Sequence, residues 1–498
     1  MPRAFCNSGK TRDVIIWIVM LIPLAAKDWN YEAAAHLLNR AGFGGTSQEI
    51  EQLRAQGLEA AVDSLLQPPN ESSSTDDAGM SWNTPVDILA RRRELLSLKT
   101  DPAELKKKRQ EMQKEQHGEL RDLRAWWLAR MKATSTPLVE KMTLFWHGHF
   151  ATSAQKVKLT YFIWRQNEMF RRFALGNFPA LLRAVSRDPA MMIYLDLQQS
   201  RKAHPNENWA REAMELFTLG IGHYSEDDVR ESARAFTGYR IDYQRNEFRF
   251  VRREQDDGTK TFLGRTGNFS GDDILNIIVE QPACAQFIGR KLWRFFVEDE
   301  PSSQSVAVAG DLLRRHQFEM RPALREIFLS ADFYSDRVRR TQIKSPVQFL
   351  VQTCKLLQTD LPSAVASEGA MTALGQLLFA PPNVKGWDGG KSWVSTSTLL
   401  FRYNFANYLL NGTAQQPLAP APLQRAPAEI ADITPADLRQ NPEALVAHLA
   451  QRFFQTKPAP KENETFLAYL KGRGPEVSDE TLRHLIHLMM STPDFQLT

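Results

Sequence analysis

The chain has 498 residues, 24% charged and 43% hydrophobic. That balance is globular, with ample apolar material for a large core, and it excludes a disordered or low-complexity chain. A formal charge of +4 is small for this length and gives no ground for nucleic-acid binding, which needs cations clustered on one face.

Residues 1–26 read as a signal peptide or an anchor. Arg3, Lys10 and Arg12 precede an apolar run from Val14 to Ala26. As a helix that run rises only about 20 Å, too short for a comfortable membrane span, and small residues at Ala25 and Ala26 suit a cleavage site. Asp13 beside the run and Leu24 three residues before a cut after Ala26 depart from the usual pattern. No later segment is apolar enough for a span. Cys284 and Cys354 could form one disulfide in an oxidising compartment, but each sits in an apolar helical context and reads rather as a buried thiol.

Beyond the leader, helical periodicity dominates. YEAAAHLLNRAGFG predicts a helix ended by Gly42. Another starts at Thr46 or Ser47, breaks at Gly57 and resumes. Residues 86–133 read as a long helix broken near Asp101-Pro102. Its basic run, KKKRQEMQKEQHGELRDLR, is interleaved with Glu and Gln and reads as a solvated face. TPLVEKMTLFWHGHF starts a helix with Pro137 in an early position. Further helices are expected at 159–173, 178–187, 206–219, 226–237, 271–280, 283–297, 304–315, 321–330, 344–357 and 397–410. GYRIDYQRNEFRFV alternates like a hairpin turning at Gln244–Glu247, and DDGTKTFLG adds a third short strand. The fold class is therefore mainly α: a large helical domain over 28–410 with a small antiparallel β insertion at about 238–264. A Pro/Ala-rich linker or wrap follows at 411–436, then helices at 437–498.

Polar density is greatest in HPNENWARE. On a helix, Asn208, Glu212 and Glu215 fall within about 60° of one another, with Arg211 beside them. Trp209, Ala213, Leu216 and Phe217 take the opposite side. Two readings stay open. The stripe is a wet face, with Arg211 paired to Glu215 and Glu207 favouring the helix N-terminus. Otherwise it is a buried network, which needs cations from elsewhere to balance its carboxylates. In FWHGHF, His147 and His149 point about 200° apart on a helix and share a metal only if Gly148 makes a turn. His147 follows Phe145-Trp146, so the bland reading there is a buried, hydrogen-bonded histidine. PPNVKGWDGGKSW, with Lys385, Trp387 and Trp393, suits either a ligand-contacting rim loop or a structural loop packing its tryptophans. No zinc-protease spacing, phosphate loop or nucleophile elbow is present.

With HPNENWAREAMELFTLGIGHY at 204–224 the chain resembles a bacterial family known as domain of unknown function 1800. The other stretches that carry the resemblance are HLLNRAGFGGT at 36–46, KMTLFWHGHF at 141–150, RDPAMMIYLD at 187–196 and TGNFSGDDIL at 266–275. CAQFIGRKLWRFF at 284–296, KSPVQFL at 344–350 and PPNVKGWDGG at 381–390 complete them. The resemblance implies export and a companion from the family called domain of unknown function 1501; it implies no reaction. The chain departs from the pattern at Phe217, where relatives carry His, and at His204, where they carry Lys, so neither is carried over as a ligand.

Two function classes stay open. One is an exported binding or assembly protein of the cell envelope or the medium. The other is a metal-assisted enzyme, a hydrolase or oxidoreductase, with a pocket built from His147, His149, Glu207, Asn208, Arg211, Glu212 and Glu215. A divalent metal there would take His147, His149, Glu212, Glu215 and His223 as ligands. That reading expects the two histidines and the carboxylate helix to meet in space. Export has a direct consequence: N-terminal sequencing of the exported protein from its native host is expected to start near Lys27, and an intact Met1 in the cytoplasmic fraction would overturn it.

Overall fold

The computed structural model describes residues 21–68, 80–413, 425–473 and 477–498. The leader run from Val14 to Met20 and part of the Pro/Ala-rich segment lie outside them. The first described residues are tied to the body, since Leu24 N–H donates to the Leu329 carbonyl and Ala331 N–H to that of Ile22.

Helix starts follow from local capping chemistry. Helix α1 (Tyr31–Ala41) begins where the Asn30 side chain accepts from Ala33 N–H, and gives way at Gly42. The next helix opens with a reciprocal capping box between Thr46 and Glu49. Helix α2 (Pro102–Ala133) starts at the expected break, with the Asp101 carboxylate accepting from Ala103 and Glu104 N–H. Its basic first half is largely exposed, whereas Leu120, Leu123, Trp127, Leu128 and Met131 are buried.

Helix α3 (Pro137–His149) differs, because every residue but Pro137 and Gly148 is buried. A helix enclosed on all sides is a core helix, and α3 lies at the centre of the aromatic packing. Helix α4 (Thr160–Arg172) crosses it, and α5 (Glu207–Glu215) carries the polar-dense segment. Helix α6 (Pro282–Phe296) packs closely on the Ser303–Arg315 helix. A Cβ at Gly289 would stand 2.8 Å from the backbone of Ala309 and Gly310, so only glycine permits that approach. Helix α7 (Pro346–Leu356) is buried along almost its whole length. The periodicity missed Ala364–Ala373, whose small residues mark no clear face.

Strand structure among the described residues is confined to two antiparallel pairs. Strands β1 (Tyr239–Asp242) and β2 (Glu247–Phe250) form the expected hairpin, with Tyr239 opposite Phe250. Strand β3 (Lys260–Phe262) does not extend it. It pairs instead with β4 (Arg265–Gly267) as a separate hairpin.

One hydrophobic core runs from Ala33 to Phe495. The C-terminal helices join it, since Phe495 packs edge-on against Phe349 and Asn39 donates to the Gln455 amide oxygen across a buried contact. One carboxylate inside the core collects three donors. The Glu140 carboxylate of α3 accepts from Trp127 Nε1 at 2.8 Å, Arg130 Nε at 2.7 Å and Arg171 Nε at 2.6 Å. Burial alone would raise the Glu140 carboxyl, but the charges and hydrogen bonds of Arg171 and Arg130 hold it below its ordinary value. Its stabilising effect is thus present at neutral pH and lost as acid protonates it. Glu140→Ala is expected to cost about 3–5 kcal/mol in a urea melt, since it strips two guanidiniums of their shared acceptor.

Candidate functional site

The polar-dense helix α5 lies at the surface. Asn206 caps it by accepting from Asn208 N–H, and Trp209, Ala210, Ala213 and Met214 are buried beneath. Arg211 donates to both oxygens of the exposed Glu226 at 2.8 Å, and to Glu207 at 3.4 Å. Its partner is therefore Glu226 of the next helix, not Glu215, which accepts from the Tyr224 hydroxyl at 2.8 Å. Burial, then the charge of Glu215, raises the half-buried Glu212 carboxyl, while Arg211 opposes the rise. Asn208, His204 and His223 are exposed.

His147 and His149 both lie on α3 and face opposite ways. His147 Nε2 accepts from Phe379 N–H at 3.1 Å, and its ring meets those of Trp127 and Trp387. Burial pushes it down to about 3, so it is neutral. His149 Nε2 lies 3.0 Å from the Phe217 carbonyl. A carbonyl only accepts, so Nε2 carries the proton and Nδ1 is a bare acceptor. That contact does join α3 to the 204–224 segment, but through backbone, with no hydrogen bond to Glu212 or Glu215. The described residues contain no group of three or more His, Cys, Asp or Glu placed to hold a metal ion.

What the fold does assemble is a cavity of about 190 Å³ between α1, α3, α6, α7 and the 381–393 loop. Five cations border it, Arg40, Lys141, Lys291, Arg294 and Lys385, against two side-chain carboxylates, Asp299 and Asp388. Arg40, from α1, is fully buried and donates to the carbonyls of Phe296, Val297 and Val338. Those contacts occupy the two terminal nitrogens, leave Nε without a hydrogen-bond partner, and leave only the field of Asp299 to oppose the charge. Lys141, from α3, donates to Gln348 Oε1 at 2.7 Å and lies over the rings of Phe43 and Phe295. Gln348 is oriented for this because its amide nitrogen donates to the Asn39 carbonyl.

No described carboxylate is in ion-pair contact with Arg40, Lys141 or Lys291. Burial, then the charge of Arg40, draws the Lys141 ammonium down to about 7. Burial, then Arg294 and Lys385, draws Lys291 down to about 8. Asp299 is half-buried and raised by burial, with the Arg40 charge opposing.

The loop that closes the cavity is seated on the end of α3. Gly386 has φ +84°, and a Cβ there would come within 2.3 Å of the Gly148 carbonyl oxygen. Arg294 donates to the Asp388 carbonyl at 2.9 Å, tying the loop to α6. Phe145, Phe295, Trp387 and Trp393 give the walls aromatic faces.

Five of the quoted stretches meet here: those at 36–46, 141–150, 284–296, 344–350 and 381–390 each supply lining residues. Arg40 and Lys141 stand as single cations in ordinary helical runs, and Lys291 and Arg294 belong to the short basic run GRKLWR, so none of the four drew attention. The available signal was a cation inside an otherwise apolar stretch, as in VEKMTLFW.

Fold and site together define a mainly α-helical protein built around a basic, aromatic-walled cavity. The chain belongs to the family described as Protein of unknown function (DUF1800), whose model matches residues 36–497. No curated protein and no solved structure matches it.

Arg211→Ala is expected to cost under about 1 kcal/mol in a urea melt, because a half-exposed ion pair contributes little. A loss of about 3 kcal/mol or more would return α5 to the buried-network reading.

Proposed function

We propose that this protein is an exported binding protein that holds a small organic anion in the basic cavity. One observation carries the reading: Arg40 and Lys141 are both buried beside the same cavity, and neither has a carboxylate in ion-pair contact. An uncompensated buried charge costs several kcal/mol. A bound carboxylate, phosphate or sulfate offsets that cost, so the site suits an anion. The walls add apolar area for the ligand's body. The N-terminal pattern supports export, and a companion from the family called domain of unknown function 1501 is the proposed partner. Among the described residues no helix is long and apolar enough to cross a membrane.

The reading fixes a pH dependence. Lys141 near 7 lies below its ordinary 10.5, so its charged form is penalised. The stability linked to it is full above about pH 10.5 and is lost as pH falls toward 7. An anion reverses the penalty, so binding takes up protons above pH 7, at Lys141 and then at Lys291. Affinity for acetate, benzoate or phosphate is expected to fall between pH 7 and 9, by up to about tenfold per pH unit for each proton taken up. Calorimetry in buffers of different ionisation enthalpy measures that uptake. Lys141→Met is expected to weaken binding at least about tenfold at pH 7. No binding of any of these anions at millimolar concentration would overturn the reading.

A further inference from the structure

Helix α6 sets two cations side by side at the cavity. Lys291 and Arg294 are three residues apart, so they share one face of the helix, with Cβ atoms about 5–6 Å apart. Lys385 approaches from the 381–393 loop. Arg294 and Lys385 act on the Lys291 ammonium, which in turn acts on His149, and all three of these neighbours border the cavity. Lys291 is only partly covered, with its ammonium over the Phe287 ring at 5.4 Å. Its Nζ makes no hydrogen bond or ion pair with a described residue, yet it is not sealed off from solvent. An amine so placed differs from a surface lysine. Partial burial and two adjacent cations make its proton easy to lose. With Lys291 drawn down to about 8, roughly one-tenth is free amine at pH 7, about 300-fold more than for an ordinary lysine. A free amine is a nucleophile toward carbonyl carbon. Guanidinium groups, by contrast, stay charged and take carboxylates in a fork. Arg294 spends one terminal nitrogen on the Asp388 carbonyl and leaves its other N–H groups for a ligand.

We propose that Lys291 forms an imine with the carbonyl of a small 2-oxo acid whose carboxylate sits on Arg294. This rests on the anion-binding reading and adds a covalent step to it. Two side chains adjacent on one helix face match two adjacent functions of the ligand, a carbonyl carbon bonded directly to the carboxylate carbon. The amine lone pair attacks that carbonyl carbon and gives a carbinolamine. Loss of water then leaves a C=N bond, and both amine hydrogens depart with the former carbonyl oxygen. A cavity of about 190 Å³ is small beside the roughly 300–1,000 Å³ of drug-sized sites, so it takes an acid of a few carbons.

The test treats the full chain at pH 7 with pyruvate and then with borohydride, which fixes an imine as a stable secondary amine. Peptide mapping by mass spectrometry is expected to find the adduct on Lys291 at about tenfold or more the mean yield of the other lysines. Acetone has the carbonyl without the carboxylate and is expected to label Lys291 about tenfold less. Benzoate has the carboxylate without the carbonyl and is expected to suppress labelling by pyruvate. Lys291→Arg keeps the positive charge, removes the nucleophile and is expected to lose the adduct; the mapping on the unmodified protein does not depend on that variant folding. An adduct spread evenly over the lysines, equal labelling by acetone, labelling that saturating benzoate leaves unchanged, or an undiminished yield in Lys291→Arg overturns the imine. If calorimetry shows benzoate binding to the unmodified protein while pyruvate leaves no adduct, the imine is wrong and the anion reading stands. If acetate, benzoate, phosphate and pyruvate all fail to bind, the anion reading itself falls.

Discussion

Burying positive charge with no carboxylate in ion-pair contact, and only the field of the half-buried Asp299 opposing it, is the constraint on which this structure turns. Water stabilises a guanidinium or ammonium strongly, and a protein interior restores that only with acceptors or anions. Arg40 obtains three carbonyls and Lys141 a single amide oxygen. Those partners hold the side chains in place and leave the charge standing. The rest of the fold bears this because its hydrophobic core is extensive.

Helix α3 shows how the two regimes are kept apart. Glu140 and Lys141 are neighbours in sequence, yet they do not pair. Successive residues on a helix point about 100° apart, so Glu140 turns to Arg130 and Arg171 while Lys141 turns to the cavity. The carboxylate that could have neutralised the lysine is taken by two arginines on the other side. His147 and His149 divide in the same way, one fastening the backbone at Phe379, the other linking the cavity wall to Phe217. A single buried helix thus supplies a structural ion network on one side and an unbalanced site on the other.

The surface of α5 makes a useful contrast. Its carboxylates are dense, but they find partners locally: Arg211 with Glu226, and Glu215 with Tyr224. Polar density in sequence therefore marked a patch whose needs are met at the surface. The cavity announced itself less loudly, because its cations come from four segments spread over some 350 residues and each segment is unremarkable where it stands.

What the sequence determined by itself was local. Periodicity and caps located most helices, the break before Pro102 and the first hairpin, because these depend on neighbours a few residues apart. It also placed both histidines on a helix that keeps them from sharing a ligand, if only as one of two alternatives. The motif stretches told which segments matter but not which of their residues meet. Tertiary structure alone decided that Arg40, Lys141, Lys291 and the 381–393 loop enclose one cavity, that Phe217 supplies His149 with an acceptor, and that β3 pairs with β4. The reason is physical. Whether a charge is costly or harmless depends on its burial and on its distance from other charges, and both are set by segments hundreds of residues apart.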